Sequence, residues 1–291
     1  MPGDGESDTK KITLFAVPKA FEGHIGAIQS NAILSWLQWT DCLDVVLFGD
    51  DDGVAEFAKE NSIRHFPEIS RNQAGTPLLD TVFQRVIENS RTQWMLYINS
   101  DIVLNSSVYQ LVQSLENLNL THFLGIGQRT DFDQTDPIAF EDPNWESDLA
   151  NRIARSGQLA SILCKDYFLF PRGHFHQIPA FSIGRGNWDS WMVATTIKSN
   201  APVIDCTEVL FAGHQNHDYR HAGNRLSAYV TGNEAQQNKH LAGGSHYMSG
   251  SVATHRLRQS GILQKKTRIP FLTFIRDVPR LTKLVYKLLI R

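Results

Sequence analysis

Trp94-Met95-Leu96-Tyr97-Ile98-Asn99-Ser100-Asp101 is the stretch on which the fold reading turns. Five apolar or aromatic residues run without alternation and stop at an amide, a hydroxyl and a carboxylate. An unbroken apolar run of this length reads as a strand buried on both faces, as inside a parallel sheet. Such a strand delivers whatever follows it to the carboxyl edge of the sheet, where ligands of open α/β folds bind. A polar turn closing a core strand has the same three residues, so the tripeptide is read through its context.

Upstream, Ile12-Thr13-Leu14-Phe15-Ala16-Val17 is a first strand, halted by Pro18. Residues 24–39 carry apolar side chains at helical spacing. Asp44 to Phe48 is a second strand, followed by Gly49-Asp50-Asp51-Asp52-Gly53. A short helix over 54–60 and a short strand over 63–66 come next. Thr76 and Pro77 are a hydroxyl N-cap and a first-turn proline, and the helix they start has Leu79, Val82, Phe83, Val86 and Ile87 on one face. The alternation is β-α-β-α-β-α-β. The expected fold is therefore α/β, a Rossmann-type, mostly parallel sheet flanked by helices, with right-handed crossovers. The ends Val17-Pro18, Phe48-Gly49 and Asn99-Ser100-Asp101 then share one edge. Asp50 faces the cleft there, while Asp51 and Asp52 read as a solvated turn.

Beyond residue 106 the pattern is less regular, which predicts an irregular second half. Helix over 108–118 and strand over 122–126 precede a polar stretch, 130–147, that reads as a long loop. Residues 148–163 read as helical and 167–170 as a strand. An aromatic and glycine-rich segment, Phe175 to Trp191, follows. Short strands over 203–206 and 209–211 lead into His214-Gln215-Asn216-His217. No GxGxxG follows the first strand, and GxxxxGK[ST], GxSxG and HExxH motifs do not occur, so dinucleotide, P-loop, serine-hydrolase and zincin readings lose their main support.

The chain has 291 residues, 42% apolar and 20% charged, and a net charge of -2, which does not point to nucleic acid. That average hides an asymmetry. Residues 265–291 hold eight Lys or Arg against the single acid Asp277, so this segment carries +7 and residues 1–264 carry -9. Three scattered cysteines, Cys42, Cys164 and Cys206, fit a reduced compartment and lack metal-ligand spacing. The first residues have no apolar core of a signal peptide, and no run reaches transmembrane length. The expected location is cytoplasmic. Residues 271–291 have the pattern of a basic amphipathic helix, which can lie on the anionic inner face of a membrane or dock on protein. The expected organisation is a flexible tail (1–10), a first half (11–127), a second half (128–250) and a basic amphipathic extension (251–291).

Taken in order, these residues resemble the GT-A-fold glycosyltransferases of the nucleotide-diphospho-sugar transferase superfamily. In that fold a strand ends in an Asp-x-Asp motif that holds a divalent ion on the donor diphosphate. Asn99-Ser100-Asp101 matches its placement, with Asn99 in place of the first Asp. Many inverting members have an aromatic, Gly-rich acceptor segment ending in Glu-Asp, whose Asp is the catalytic base. Asp189 falls at that position, with Trp188 where Glu would be. A histidine after the sheet often completes the metal site, and His214 stands there. The resemblance spans roughly residues 11–245 and implies a nucleotide-sugar-binding half over 11–127 and an acceptor and catalytic half over 128–250. The combination PKAFEGHIGAIQSNAILSW, GTPLLD, YINSDI, IGRGNWDSWM and HQNHDY is similar to a plant and microbial group within the superfamily.

The resemblance implies transfer of a sugar from a nucleotide-diphosphate donor to an acceptor hydroxyl, with inversion and a Mn²⁺ or Mg²⁺ cofactor. The implied partners are the nucleotide sugar and a carbohydrate, lipid-linked or other glycan acceptor. Asp101 and His214 are the implied metal ligands, with His217 as the second choice of histidine. Asp189 is the implied base; it equally reads as the N-cap of the helix that follows. Donor contacts are expected from Val17, Pro18, Asp50, Gly75, Asn99, Ser100 and Arg185. Arg185 reads equally as a structural ion pair, and Trp188 and Trp191 as sugar platforms or as core. Residues 232–246 read as a lid over the donor. Two rival functions share the pattern. A sugar-1-phosphate nucleotidyltransferase would need a Gly-rich basic signature after the first strand, which Pro18-Lys19-Ala20-Phe21-Glu22-Gly23 lacks. A catalytically degenerate binding protein is favoured by Asn99 and Trp188.

Overall fold

The computed structural model describes residues 11–134, 136–216, 229, 231–244 and 252–266. His217 and the segment 271–291 lie outside them. The chain builds thirteen strands and seven helices among the described residues. The first half runs β1 (Ile12–Ala16), α1 (Gly23–Leu37), β2 (Leu43–Phe48), α2 (Val54–Glu60), β3 (Arg64–Phe66), α3 (Leu79–Asn89), β4 (Trp94–Ile98), β5 (Ile102–Val103), α4 (Ser107–Asn117) and β6 (Leu124–Ile126). The second runs β7 (Thr130–Phe132), α5 (Trp145–Ser156), β8 (Gln158–Leu159), β9 (Tyr167–Pro171), α6 (Trp188–Lys198), β10 (Val203–Asp205), β11 (Gly213–Gln215), α7 (Asn233–Leu241), β12 (His255–Leu257) and β13 (Leu263–Lys265).

Nine strands form one mostly parallel sheet in the order β13-β12-β10-β6-β9-β4-β1-β2-β3. β9 runs antiparallel to both neighbours, β4 and β6, and β13 runs antiparallel to β12. The order reverses at β1, which has β2 on one side and β4 on the other. The crevice beyond the carboxyl ends of β1 and β4 is thus a topological switch point, where open α/β sheets bind ligands. The strands of this sheet come from residues 12–66, from 94–205 and from 255–265.

Strand parity sorts the two faces. Ile12, Leu14 and Ala16 of β1 and Trp94, Leu96 and Ile98 of β4 pack with Ala32, Ile33 and Trp36 of α1 and Val108, Leu111 and Leu115 of α4. Phe15, Met95 and Tyr97 face the other way, onto Leu79, Val82, Phe83 and Val86 of α3 and Met192 and Val193 of α6. All five side chains of β4 are buried, as a strand covered on both faces requires. Thr13 is the polar exception, and it hydrogen-bonds the Ser90 and Thr92 hydroxyls at 2.7 and 2.8 Å.

Four expectations are corrected. Thr76 and Pro77 do not open α3: Pro77 and Leu78 form bridges to Arg71 and Ser182, which keeps them extended and delays the helix to Leu79. The stretch 130–147 is not all loop, because Thr130–Phe132 pairs with β11 and β8. The strand expected over 209–211 does not form: residues 207–209 are a turn, with the Val209 and Leu210 N–H groups on the Cys206 carbonyl. His214 lies inside a strand, β11, and not after one.

At the opposite edge of the sheet, His122, His174 and His176 line a groove of about 520 Å³. Burial, with His122 and His176 nearby, pushes the His174 imidazole down to about 4. A histidine whose folded pKa is depressed stabilises the fold fully above its unfolded value and loses that contribution as pH falls through the folded one. Unfolding free energy should therefore drop by something on the order of 2 kcal/mol between about pH 6.5 and pH 4. Urea midpoints across this range measure it, and His174→Gln should flatten the profile.

Candidate functional site

β4 ends and the chain turns at Asn99, where the Ile102 N–H meets the Asn99 carbonyl at 3.2 Å. Ile102-Val103 then leaves the large sheet and becomes β5, the edge of a four-stranded sheet ordered β5-β11-β7-β8. Register does the rest. His214 of β11 lies opposite Ile102 on one side and opposite Asp131 of β7 on the other. A histidine and two carboxylates, over a hundred residues apart at the extremes, are thereby set side by side.

His214 is 2% exposed. Its Nδ1 is 2.9 Å from Asp131 Oδ1 and its Nε2 is 3.5 Å from Asp101 Oδ2. Burial alone would depress the imidazole pKa, but the two carboxylates outweigh it and raise the value to about 9. Burial likewise works against the Asp131 carboxylate, and His214 and Arg129 more than compensate, holding its pKa below the usual value. The network continues: Arg129 donates to Asp131 at 2.7 Å and to Asp166 at 3.0 Å, and Asp166 accepts from the Asn99 amide at 2.8 Å. A partly buried chain therefore runs Asn99–Asp166–Arg129–Asp131–His214–Asp101. With His214 protonated, three carboxylates meet two cations, so the chain is one negative charge in excess.

Ser100 donates to Gln29 Oε1 at 3.0 Å, and the same oxygen accepts the Lys19 N–H at 2.7 Å. Gln29, buried on α1, so ties the exit of β1 to the exit of β4 across the switch point. Pro18 is buried and Val17 half-buried beside it. Asn99 commits its amide nitrogen to Asp166, which leaves its carbonyl oxygen for any further partner.

Asp189 lies in the first turn of α6, whose N-cap is Asn187 at φ 80, so Asp189 is not the cap. Its Oδ2 is 3.0 Å from Lys165 Nζ, and the Lys165 side chain is 3% exposed. Lys165 precedes Asp166, so one strand entry reaches both the base candidate and the Asn99 chain. Trp188 is buried against Tyr97 and Phe168, with ring centroids at 5.4 and 5.0 Å, and Trp191 packs on Phe175 and Phe181. Trp188 is core, and Trp191 is partly buried against the same cluster.

The remaining expected residues sit in separate ion pairs. Arg71 pairs with Asp50 and Asp51, holds the Asp50 carboxyl pKa below its ordinary value through these hydrogen bonds, and also donates to the Gly75 carbonyl at 2.8 Å. Gly75 has φ 82 in the turn that Asn72 organises. Arg185 is bound by Glu234 at 2.6 Å, so its charge is already answered within the protein. α7 is held by this pair and by buried Asn238, which bonds both the N–H and the carbonyl of Ser182. Residues 233–241, within the stretch 232–246 expected as a lid, are thus a docked helix, and residues 245–246 lie outside the described residues.

The site contains residues that the sequence did not single out: Gln29, Arg129, Asp131, Lys165 and Asp166. Lys165-Asp166 is the polar pair abutting the apolar run Tyr167–Phe170, the mirror of Asn-Ser-Asp after Trp94–Ile98. Only the antiparallel direction of β9 brings the two to one edge.

The donor set suits a divalent ion that brings its own oxygen ligands. Asp101 offers a hard carboxylate. His214, protonated between its two carboxylates, would have to release its Nε2 proton to ligate an ion, and Asp131 on its other nitrogen is the arrangement that orients metal-binding histidines. Their 3.5 Å separation is one that two ligands of a single cation can share. Among the described residues no three His, Cys, Asp or Glu side chains converge as a ready ligand set. Phosphate oxygens would have to complete the shell. No protein-family model matches the sequence, and a search of curated proteins finds no significant relative.

Proposed function

We propose that the protein is a GT-A-type glycosyltransferase that moves a sugar from a nucleotide-diphosphate donor to an acceptor hydroxyl, with inversion and with help from a divalent metal. The observation that carries this reading is the pair Asp101–His214, oriented by Asp131, at the mouth of the β1–β4 switch point. That mouth suits a phosphate-bearing ligand. Mn²⁺ or Mg²⁺, when bound, would neutralise the charge that grows on the departing diphosphate. Asp101 and His214 would hold it. The Asn99 oxygen and the Ser100 region would meet the nucleotide, with Val17 and Pro18 forming the wall. Asp189 would accept the proton of the attacking hydroxyl, and Lys165 keeps that carboxylate aimed. The acceptor class is a carbohydrate, a lipid-linked sugar or another glycan.

A binding-only protein is the second reading, favoured by the Lys165–Asp189 ion pair, which already occupies one oxygen of the base candidate. Isothermal titration with UDP and with GDP, each with and without Mn²⁺, tests the first. One nucleotide should bind in a Mn²⁺-dependent way. Failure of both nucleotides to bind under either condition would sink the proposal. Donor hydrolysis, screened across nucleotide sugars, separates the enzyme from the binding protein.

A further inference from the structure

We infer that the β12–β13 hairpin is a docking surface for an anionic lipid bilayer. The hairpin closes the outer edge of the large sheet, away from β3. Its turn is set by the Arg258 N–H on the Ile262 carbonyl at 2.9 Å and the Gly261 N–H on the Arg258 carbonyl at 2.8 Å, with Gly261 at φ 77. This turn holds Ile262 out in solvent at 64% exposure, the highest of the large exposed apolar side chains among the described residues. Leu257, by contrast, is fully buried, and Leu263 packs against the core. The hairpin is thus anchored inward and carries one apolar side chain at its tip.

Behind that tip lies charge. Arg256, Arg258 and Lys266 pair with Asp205 and Glu208, and Lys265, opposite His255 at the base of the hairpin, adds a fourth cation to these two carboxylates. Lys265 itself is exposed. The sequence that continues from Lys266 adds Arg268, Arg276, Arg280, Lys283, Lys287 and Arg291 against Asp277 alone. β13 is three residues long, so its tip and the start of that sequence are within about 10 Å of each other. A lone exposed isoleucine on a protein surface has no special meaning. An apolar tip within a positive surplus, followed by a basic and apolar sequence, matches an anionic bilayer in both chemistries: headgroups for the cations, acyl chains for the tip.

β12 runs parallel to β10, β6 and β4, so the hairpin tip is on the same edge of the sheet as Asn99–Asp101. If the proposed transferase reading holds, this surface favours a lipid-linked acceptor. The docking test does not depend on that reading, since it requires neither nucleotide nor turnover.

The full chain is floated with vesicles of pure phosphatidylcholine and with vesicles containing about one-quarter phosphatidylserine. The expected result is flotation only with the anionic vesicles, lost at high salt. Lys265→Gln should weaken binding about fivefold, the contribution of one basic side chain near such a surface. Ile262→Asp should weaken it about tenfold, and its solvent exposure leaves the fold intact, which an unchanged melting temperature confirms. Absence of flotation overturns the inference. So does flotation of both variants at the level of the parent chain, because residues 267–291 alone would then account for it.

Discussion

Asp189→Asn should lower sugar transfer and donor hydrolysis by about 10²–10⁴-fold while leaving Mn²⁺-dependent nucleotide affinity within about twofold. The acceptor hydroxyl must lose its proton as it attacks, and an amide cannot take it. Nucleotide affinity should persist because Asp189 contacts Lys165 and not the Asp101–His214 pair. One physical complication must be separated. Lys165 is 3% exposed, and removing the charge opposite a buried cation costs about 3–5 kcal/mol. The single variant could therefore lose activity by unfolding. Lys165→Met/Asp189→Asn removes both charges and should restore the melting temperature without restoring turnover. Near-parental turnover in the single variant would exclude Asp189 as the base. Recovery of turnover in the double variant would show that the pair is structural.

Asp101→Asn should reduce nucleotide affinity in the presence of Mn²⁺ by at least about 100-fold and abolish the difference between titrations with and without the ion. Groups that only orient metal ligands already contribute about 10–100-fold, and Asp101 is the one carboxylate proposed to touch the ion. Asn99 makes the dependence sharper, since the position two residues earlier supplies an amide where the resembled motif has a second carboxylate. The substitution preserves side-chain size, and His214 keeps its closer contact to Asp131 at 2.9 Å, so the small sheet should remain folded. A variant that still gains affinity from Mn²⁺ would mean that any metal held lies elsewhere and that Asn99-Ser100-Asp101 is a nucleotide contact only.

Much of the fold was legible because local rules agree with one another. The 3.6-residue spacing in 79–87 and the unbroken run 94–98 each permit one partner geometry, and alternating them leaves a parallel sheet as the economical solution. The failures have specific causes. Thr76-Pro77 is a good helix start in isolation, but bridges to Arg71 and Ser182 compete for its backbone and win. Residues 130–132 lack strand length and hydrophobicity; they pair because β8 and β11 are there to receive them. Asp189 reads as a helix cap by residue type, yet the chain enters α6 two residues earlier, through left-handed Asn187.

By itself the sequence determined the strand-helix alternation, the burial of β4 on both faces, and the emergence of Asn99-Ser100-Asp101 at the ligand edge, because side-chain periodicity is a local property and the βα alternation sets the direction of those strands. Tertiary structure alone decided who meets that tripeptide. Pairing of His214 with both Ile102 and Asp131 is a matter of register between segments more than eighty residues apart. The reversed direction of β9, which delivers Asp166 to Asn99 and Lys165 to Asp189, leaves no mark on the apolar run Tyr167–Phe170, since a strand buried on both faces looks alike in either direction. Charge neutralisation followed the same rule: Arg185 and Asp50 carry full charges in the sequence, and only the folded chain sets Glu234 and Arg71 against them.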